Sequence, residues 1–313
     1  MAGGQERLLR RRIKTVEATK KITRAMELIA ASQMGRARAR LAGTRRYVDG
    51  IERVLAVTAS DVTHASRIVG VPDHVEHSLL VTLVGDRGLC GAYNSSVLRM
   101  AERLIITGEQ GGRSYRLVTV GRKAVGYFRY RNRPIERSFL AMSDRPTYED
   151  ARAVAAEIIG PFLSGEVDLV ELISTRYVST GTQVVERRQI LPLVIGEADE
   201  GTPASSADGF YDFEPSAEEL LELLVPQYAE VVLYQALLEA SASEHTARQR
   251  AMAAATENAE ELITTLSRIM NRARQDSITT EIMEIVSGAE ALRSVGKATR
   301  EGVLRNENEE QIA

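Results

Sequence analysis

Two stretches of this chain hold no glycine for a very long way, one between Gly4 and Gly35 and one between Gly209 and Gly288. Both read as amphipathic helix. In the later stretch the apolar residues Met252, Ala255, Ala259, Leu262, Leu266, Ile269 and Ala273 step by three and four, the spacing of a coiled-coil seam. The early stretch carries a looser version in Leu9, Ile13, Val16, Ile22, Met26 and Ile29. At 1.5 Å per residue, a helix from Gln5 to Val62 is roughly 85 Å long and one from Pro226 to Leu292 roughly 100 Å. A compact chain of this size has a diameter of about 50 Å. The two helices are therefore expected to pair and form a rod, with a body built from the middle of the sequence. A rod with a body points to mechanics before catalysis.

Charge sharpens this. The formal net charge is only -3, yet residues 1–47 hold thirteen Lys or Arg against three Glu. Clusters at Arg10, Arg11, Arg12 and Lys14, then at Arg36, Arg38 and Arg40, imply an acidic counterpart unless they line a solvated helix face. Cys90 is the only cysteine, so no internal disulfide forms, which fits a reducing compartment. No apolar run is long enough to span a bilayer. The first residues lack an apolar signal core, so no cleaved targeting segment is expected.

Between the helices the period changes. Ser78–Gly85 (SLLVTLVG) reads as a buried strand, Gly91 to Ile106 as a helix and Tyr115–Val120 (YRLVTV) as a second strand. A short helix to Tyr130, an edge strand at Ile135–Leu140 and a helix over Tyr148–Leu163 follow. Val167–Thr175 is a further strand, with Gln183–Val194 returning as its partner. This alternation predicts a doubly wound α/β sheet. Gly196 to Gly209 has linker composition. Ser216 and Glu219 have capping-box spacing, and Pro226 is expected to kink the last helix or divide it. After Ala273 the apolar positions Ile278, Ile282, Ile285, Ala289 and Leu292 fall out of phase, so the helix end is expected to run alone. The organisation reads as helix over 1–64, α/β domain over 78–195, linker over 196–215, helix over 216–292 and an extra tail over 293–313.

Three places invite chemistry. The turn Gly85-Asp86-Arg87-Gly88-Leu89-Cys90-Gly91 follows a strand and opens a helix, where α/β folds hold phosphate. Its spacing matches neither the dinucleotide fingerprint nor the P-loop, which favours a tight structural turn. His74 and His77, with Asp73 and Glu76, lack further ligands at metal spacing. Cys90 has no motif partner that would make it a nucleophile. No catalytic constellation, cofactor site or metal site is expected.

The segment Ile22–Met34 (ITRAMELIAASQM) and the segment Ala273–Ala289 (ARQDSITTEIMEIVSGA) resemble the gamma subunit of F-type, proton-translocating ATP synthases, as do GDRGLCGAYN and the stretch Phe210–Pro215. The resemblance runs in order through residues 1–292. It implies an antiparallel coiled coil of the two termini plus a Rossmann-like domain. It further implies a rotor shaft inside an alpha-beta hexamer, seated on a ring of c subunits beside an epsilon subunit, in single copy, binding no nucleotide itself. Its place would be the cytoplasmic side of a cell membrane, held there peripherally. By motif match Met26, Arg248, Arg274, Gln275, Thr279, Glu281 and Glu284 would contact beta and couple rotation to catalysis. Ile282, Ile285 and Ala289 would form a bearing tip, and Glu214 a foot contact to the c ring. Gln33, Gly35 and Ala253 depart from the usual family residues. Two other classes stay open: a coiled-coil adaptor or nucleic-acid binder using the basic first helix, and a nucleotide enzyme using the Gly85 turn.

Overall fold

The computed structural model describes the backbone of residues 2–60, 68–70, 72, 74–193, 214 and 216–310, with side chains described inside 5–293 apart from 59–60, 218 and 222. The expected linker and most of the Phe210–Pro215 stretch lie outside the described residues, as do the side chains of the tail beyond residue 293.

The chain opens with helix α1 (Ala2–Ser60) and closes with helix α5 (Ala217–Glu310). Between them lie β1 (His77–Leu83), α2 (Tyr93–Gln110), β2 (Ser114–Val120), α3 (Arg122–Tyr130), β3 (Arg137–Phe139), α4 (Tyr148–Leu163), β4 (Leu169–Tyr177) and β5 (Gln183–Leu191). The five strands form one sheet in the order β3-β2-β1-β4-β5. The first four are parallel, and β5 runs antiparallel along β4. The chain thus winds outward from β1 in one direction and then crosses back to its other side, which is the doubly wound topology.

Alternation of side chains along β1 sorts the sheet's two faces. Leu80 and Val84 point to the α2 and α3 side, where Val97, Leu98, Ala101, Ala124 and Phe128 complete one apolar cluster. Leu79, Val81 and Leu83 point the other way, into a larger cluster with Val154, Ile158 and Phe162 of α4, Ile51 and Leu55 of α1, and Leu221, Val225, Val232 and Leu233 of α5. Helix α4 starts where Thr147 and Asp150 cap one another reciprocally. Helix α5 starts on half of the expected box, the Glu219 amide donating to Ser216 Oγ at 3.4 Å.

Contacts divide the chain into two compact units, residues 25–253 and residues 1–24 with 254–313. The first unit holds the whole sheet together with long stretches of α1 and α5. The second is a pair of helical segments. There the Thr23 and Thr256 hydroxyls meet at 2.8 Å and Lys20 Nζ meets Glu260 Oε1 at 2.7 Å, so numbers climb on one helix as they fall on the other and the pairing is antiparallel.

Two expectations change. Pro226 lies inside α5, so of the two expected outcomes, a kink or a division, the division does not occur. An internal proline costs about 3 kcal/mol, and burial of Leu221, Val225, Ala229 and Val232 on the sheet's core offsets that. The seam is also rephased. Its inward positions on α5 are Met252, Thr256, Ala259, Ile263, Leu266 and Met270, while Leu262 and Ile269 are 40% and 44% exposed. On α1 Leu9, Ile13 and Val16 face inward as expected, but Thr23 and Ala30 take the place of Ile22 and Ile29, which are exposed. Steps of three then four and of four then three both satisfy a heptad. Small residues (Thr23, Ala30, Thr256 and Ala259) share the inward places with larger ones.

Candidate functional site

The Gly85–Gly91 turn is held by its own side chains. Asn94 Oδ1 accepts the Gly85 amide at 2.8 Å, while Asn94 Nδ2 donates to the Arg87 carbonyl at 3.2 Å and to Cys90 Sγ at 3.1 Å. Asp86 Oδ1 accepts the Arg122 amide at 3.0 Å, so a carboxylate already caps the free N-terminus of α3. Gly121, which precedes that helix, has φ +97, and a Cβ there would stand 2.1 Å from the Val84 carbonyl oxygen, so only glycine fits.

Helix α5 lies over the same edge of the sheet. The Glu244 carboxyl is completely buried against Gly85, where an added Cβ would come within 2.7 Å of Oε1. Arg248, one turn on, donates to Glu244 Oε1 and lies 3.4 Å from His245 Nδ1. Burial pushes the Glu244 carboxyl above the usual carboxylate range, and the Arg248 charge opposes that push. Burial lowers His245, which keeps it neutral at physiological pH, and raises the Cys90 thiol, with the Glu244 charge adding to the effect. A thiol held protonated is a poor nucleophile. An incoming phosphate would meet two carboxylates, Asp86 and Glu244, at the place where such folds receive anions.

His77 Nδ1 lies 2.7 Å from Ser114 Oγ, and exposed His74 lies 3.2 Å from Glu76. No group of three His, Cys, Asp or Glu is disposed to hold a metal among the described residues. Asp73 is outside them.

The residues expected to act fall into three environments. Met26 is half-buried on α1. Arg248 is turned inward onto Glu244, which sequence reasoning did not anticipate. Arg274, Gln275, Thr279, Glu281 and Glu284 are exposed on α5, with the Thr279 hydroxyl donating to the Gln275 carbonyl at 3.0 Å and Ser277 Oγ donating to Glu281 Oε1 at 3.4 Å. Ile282, Ile285 and Ala289 are exposed too, as is every residue from 278 to 293. Ile285 and Leu292 reach 72% and 76% exposure. The antiparallel register carries the start of α1 level with about residue 278, so among the described residues α1 does not run beside α5 past that level. Glu214 is exposed. Of the basic cluster, Arg10 pairs with Glu6 at 2.9 Å, whereas Arg40 turns onto the Pro146 carbonyl and the Tyr234 hydroxyl.

Sequence reasoning missed Glu244 and the Thr23–Thr256 pair. The signal for the first was an i, i+4 Glu–Arg spacing inside a segment of small residues (ASASEHTA). The signal for the second was a threonine at an alternate heptad position on each helix.

A family model described as ATP synthase matches residues 5–292. An ATP synthase gamma chain from Parafrankia sp. (strain EAN1pec) is 48% identical over 295 residues, covering 93% of this chain and 99% of that protein. The ATP synthase gamma chain of Streptomyces coelicolor is 41% identical, covering 93% and 97%. Among solved structures, a chain of the Euglena gracilis mitochondrial ATP synthase (OSCP/F1/c-ring, rotational state 3) superposes with a TM-score of 0.65 at 17% identity, covering 93% of this chain and 96% of that one. A chain of the Tetrahymena thermophila mitochondrial ATP synthase (central stalk/c-ring) gives 0.55 at 24% identity, covering 75% and 99%. The structural matches share the fold: long helices from both ends and a central sheet domain. With its own motifs at both ends matched in order and near-complete coverage of its relatives, the chain belongs to the ATP synthase gamma chain family.

Proposed function

We propose that this chain is the central rotor shaft of a proton-driven ATP synthase, turning with a ring of c subunits and driving the catalytic changes of an alpha-beta hexamer. It acts as a single copy in a hetero-oligomer, beside an epsilon subunit, and contacts the membrane through the c ring. It has no active site of its own. The observation that carries this reading is the run from residue 278 to 290, a helical stretch whose apolar side chains are left exposed among the described residues. A fixed docking helix would be matched knob by knob. A turning one needs contacts that are apolar and non-directional, and Ile282, Ile285 and Ala289 supply a surface of that kind.

The exposed polar set Arg274, Gln275, Thr279, Glu281 and Glu284 lies at and just beyond the phase break, where α5 is free to meet beta. Met26 contributes from α1. Arg248 acts at one remove, by holding Glu244. Glu214 belongs to the foot against the c ring. The basic face of α1, with Arg11, Arg12 and Lys14 exposed, suits acidic loops of the surrounding subunits. The complex sits peripherally at a cell membrane, its head on the cytoplasmic side.

The test is reconstitution. Purified chain added to alpha, beta, epsilon and c-ring components in vesicles should restore ATP-driven proton pumping. Hydrolysis with no pumping, at full incorporation of the chain, would refute the shaft reading.

A further inference from the structure

The stretch of α5 that crosses the sheet is unusual for a buried helix. Residues 240–246, Ala-Ser-Ala-Ser-Glu-His-Thr, are all buried, and none is a large apolar side chain. A smooth face of small residues gives little to key one helix against a sheet. Polar contacts take over that task. Ser241 Oγ donates to the Asp144 carbonyl at 3.2 Å, His245 Nε2 lies 3.2 Å from the same oxygen, and Ser243 Oγ donates to the Thr175 carbonyl at 3.4 Å. Glu244 goes deepest. Its carboxyl fills the space that a side chain at position 85 would need, and it takes Arg248 with it. The Ser143 hydroxyl, which accepts the Asp86 amide at 3.0 Å, is near enough to favour the charge, yet Glu244 Oε2 itself makes no close hydrogen bond among the described residues.

A buried ion pair with one oxygen unsatisfied is a poor way to gain stability, because desolvation of two charges consumes most of their attraction and an apolar pair of similar volume does as well or better. What such a pair supplies is specificity: only one rotation and one height of the helix bring the carboxyl over Gly85. The geometry points to Glu244 as a positioning residue for torque, a carboxylate seated in the glycine notch at the sheet's edge so that α5 and the sheet domain turn together. The inference rests on the shaft reading above. It assigns the crevice in which related folds hold a ligand to the protein's own side chain, and it gives Gly85 its reason: the residue is glycine to admit a carboxyl, with no phosphate involved.

The test uses the full complex in vesicles, reading proton pumping per ATP hydrolysed, and the unfolding midpoint of each purified chain alongside. Gly85→Ala pushes the carboxyl off its seat while removing no polar group, and should lose most of its pumping per ATP. Adding Glu244→Asp shortens the side chain by one methylene, makes room for the new methyl and keeps a charge for Arg248. That double variant should regain both pumping and midpoint. Adding Glu244→Ala together with Arg248→Met instead makes more room and removes both charges, so that no buried charge is left unpaired, and should regain the midpoint without the pumping. The inference is overturned if Gly85→Ala pumps as wild type, or if the apolar triple variant pumps as well as the Asp double variant, since packing alone would then account for the site. Should Gly85→Ala fail to fold, the Asp double variant and the apolar triple variant still decide, and failure of those as well overturns it by making the pair a requirement of folding. Absence of pumping with the wild-type chain is a separate outcome and counts against the shaft reading itself.

Discussion

The hydroxyl pair inside the helix seam gives a sharp energetic test. Thr23 and Thr256 are both buried, and their oxygens are 2.8 Å apart. Thr23 Oγ1 also lies 3.0 Å from the Lys20 carbonyl, to which it can donate. Replacing either by valine keeps the shape and removes one side of that bond. A net hydrogen bond contributes about 0.5–1.5 kcal/mol, and a buried polar group left behind costs up to about 1–3 kcal/mol. Each single Thr→Val variant should therefore lose about 1 kcal/mol. The double variant, with two methyl groups meeting in the seam, should come back to wild type or above it, because both partners have been replaced by apolar groups of the same shape. Denaturant unfolding of the four purified chains measures this as a double-mutant cycle. The expected coupling is about 1–2 kcal/mol, well outside the few tenths by which independent sites depart from additivity. If the double variant loses the sum of the two singles, the seam does not hold these hydroxyls against each other and the antiparallel register drawn from them is wrong.

Other expectations are simpler. Met26→Lys should assemble yet pump fewer protons per ATP, since an added ammonium among Lys20, Lys21 and Arg24 would hold an acidic loop of beta through a contact costing about 1 kcal/mol to break if exposed; equal pumping per ATP in mutant and wild-type vesicles would refute it. Deleting residues 293–313 should leave hydrolysis by the purified hexamer complex intact. Deleting from Ile278 should weaken the complex, as Ile282, Ile285 and Leu292 each contribute at most about 1.5–3 kcal/mol on full burial, while the unfolding midpoint of the isolated chain stays put under both cuts because residues 278–293 are all exposed within it. Glu239→Gln should stabilise the purified chain near pH 8. Burial holds the Glu239 carboxyl above its ordinary value of 4.5, partly countered by Arg188, so the folded state binds this proton more readily than the unfolded one. Its contribution is then fully present below about pH 4.5 and is lost as pH rises through the folded value. The advantage of glutamine should shrink as pH falls, and a gap that widens toward acid would contradict the assignment.

The fold was largely legible because its signals are long. A helix without glycine for tens of residues leaves little choice, and the β-rich runs beginning near Ser78, Tyr115 and Val167 each end at a glycine or a change of period. Beyond half-buried Ser277 every described side chain, from 278 to 293, is exposed, as expected of a helix stretch that runs alone. The inward face did not read fully. Ile22, Leu28, Ile29, Leu262 and Ile269 are apolar and turned outward, while Thr23, Ala30 and Thr256 are turned in. Periodicity finds an apolar stripe without saying what it faces, and this pair of helices carries apolar residues on more than one side. Glu244 was illegible for a related reason. A Glu–Arg pair four apart is ordinarily a solvated surface feature, and only the sheet packed over it makes it a buried one. Pro226 does not divide the helix, because the same turn buries Leu221, Val225 and Ala229 in the core.

That outward apolar set is the part of the molecule a helix hairpin by itself does not explain. A stable seam wants its largest apolar residues inside, and here alanine and threonine hold some inward positions beside Leu9, Ile13, Ile263 and Leu266, while Ile22, Ile29, Leu262 and Ile269 are exposed. Small inward residues let two helices approach closely and make their register depend on specific contacts, such as the Thr23–Thr256 hydroxyls and the Lys20–Glu260 pair. Large outward residues do the reverse, offering area with no preferred angle. The division suits a shaft, which must be single-valued along its own axis and indifferent to angle at its surface. On the proposed shaft reading, Ile278, Ile282, Ile285 and Leu292 stay exposed on α5 past the level of α1's start because a bearing surface has to stay apolar.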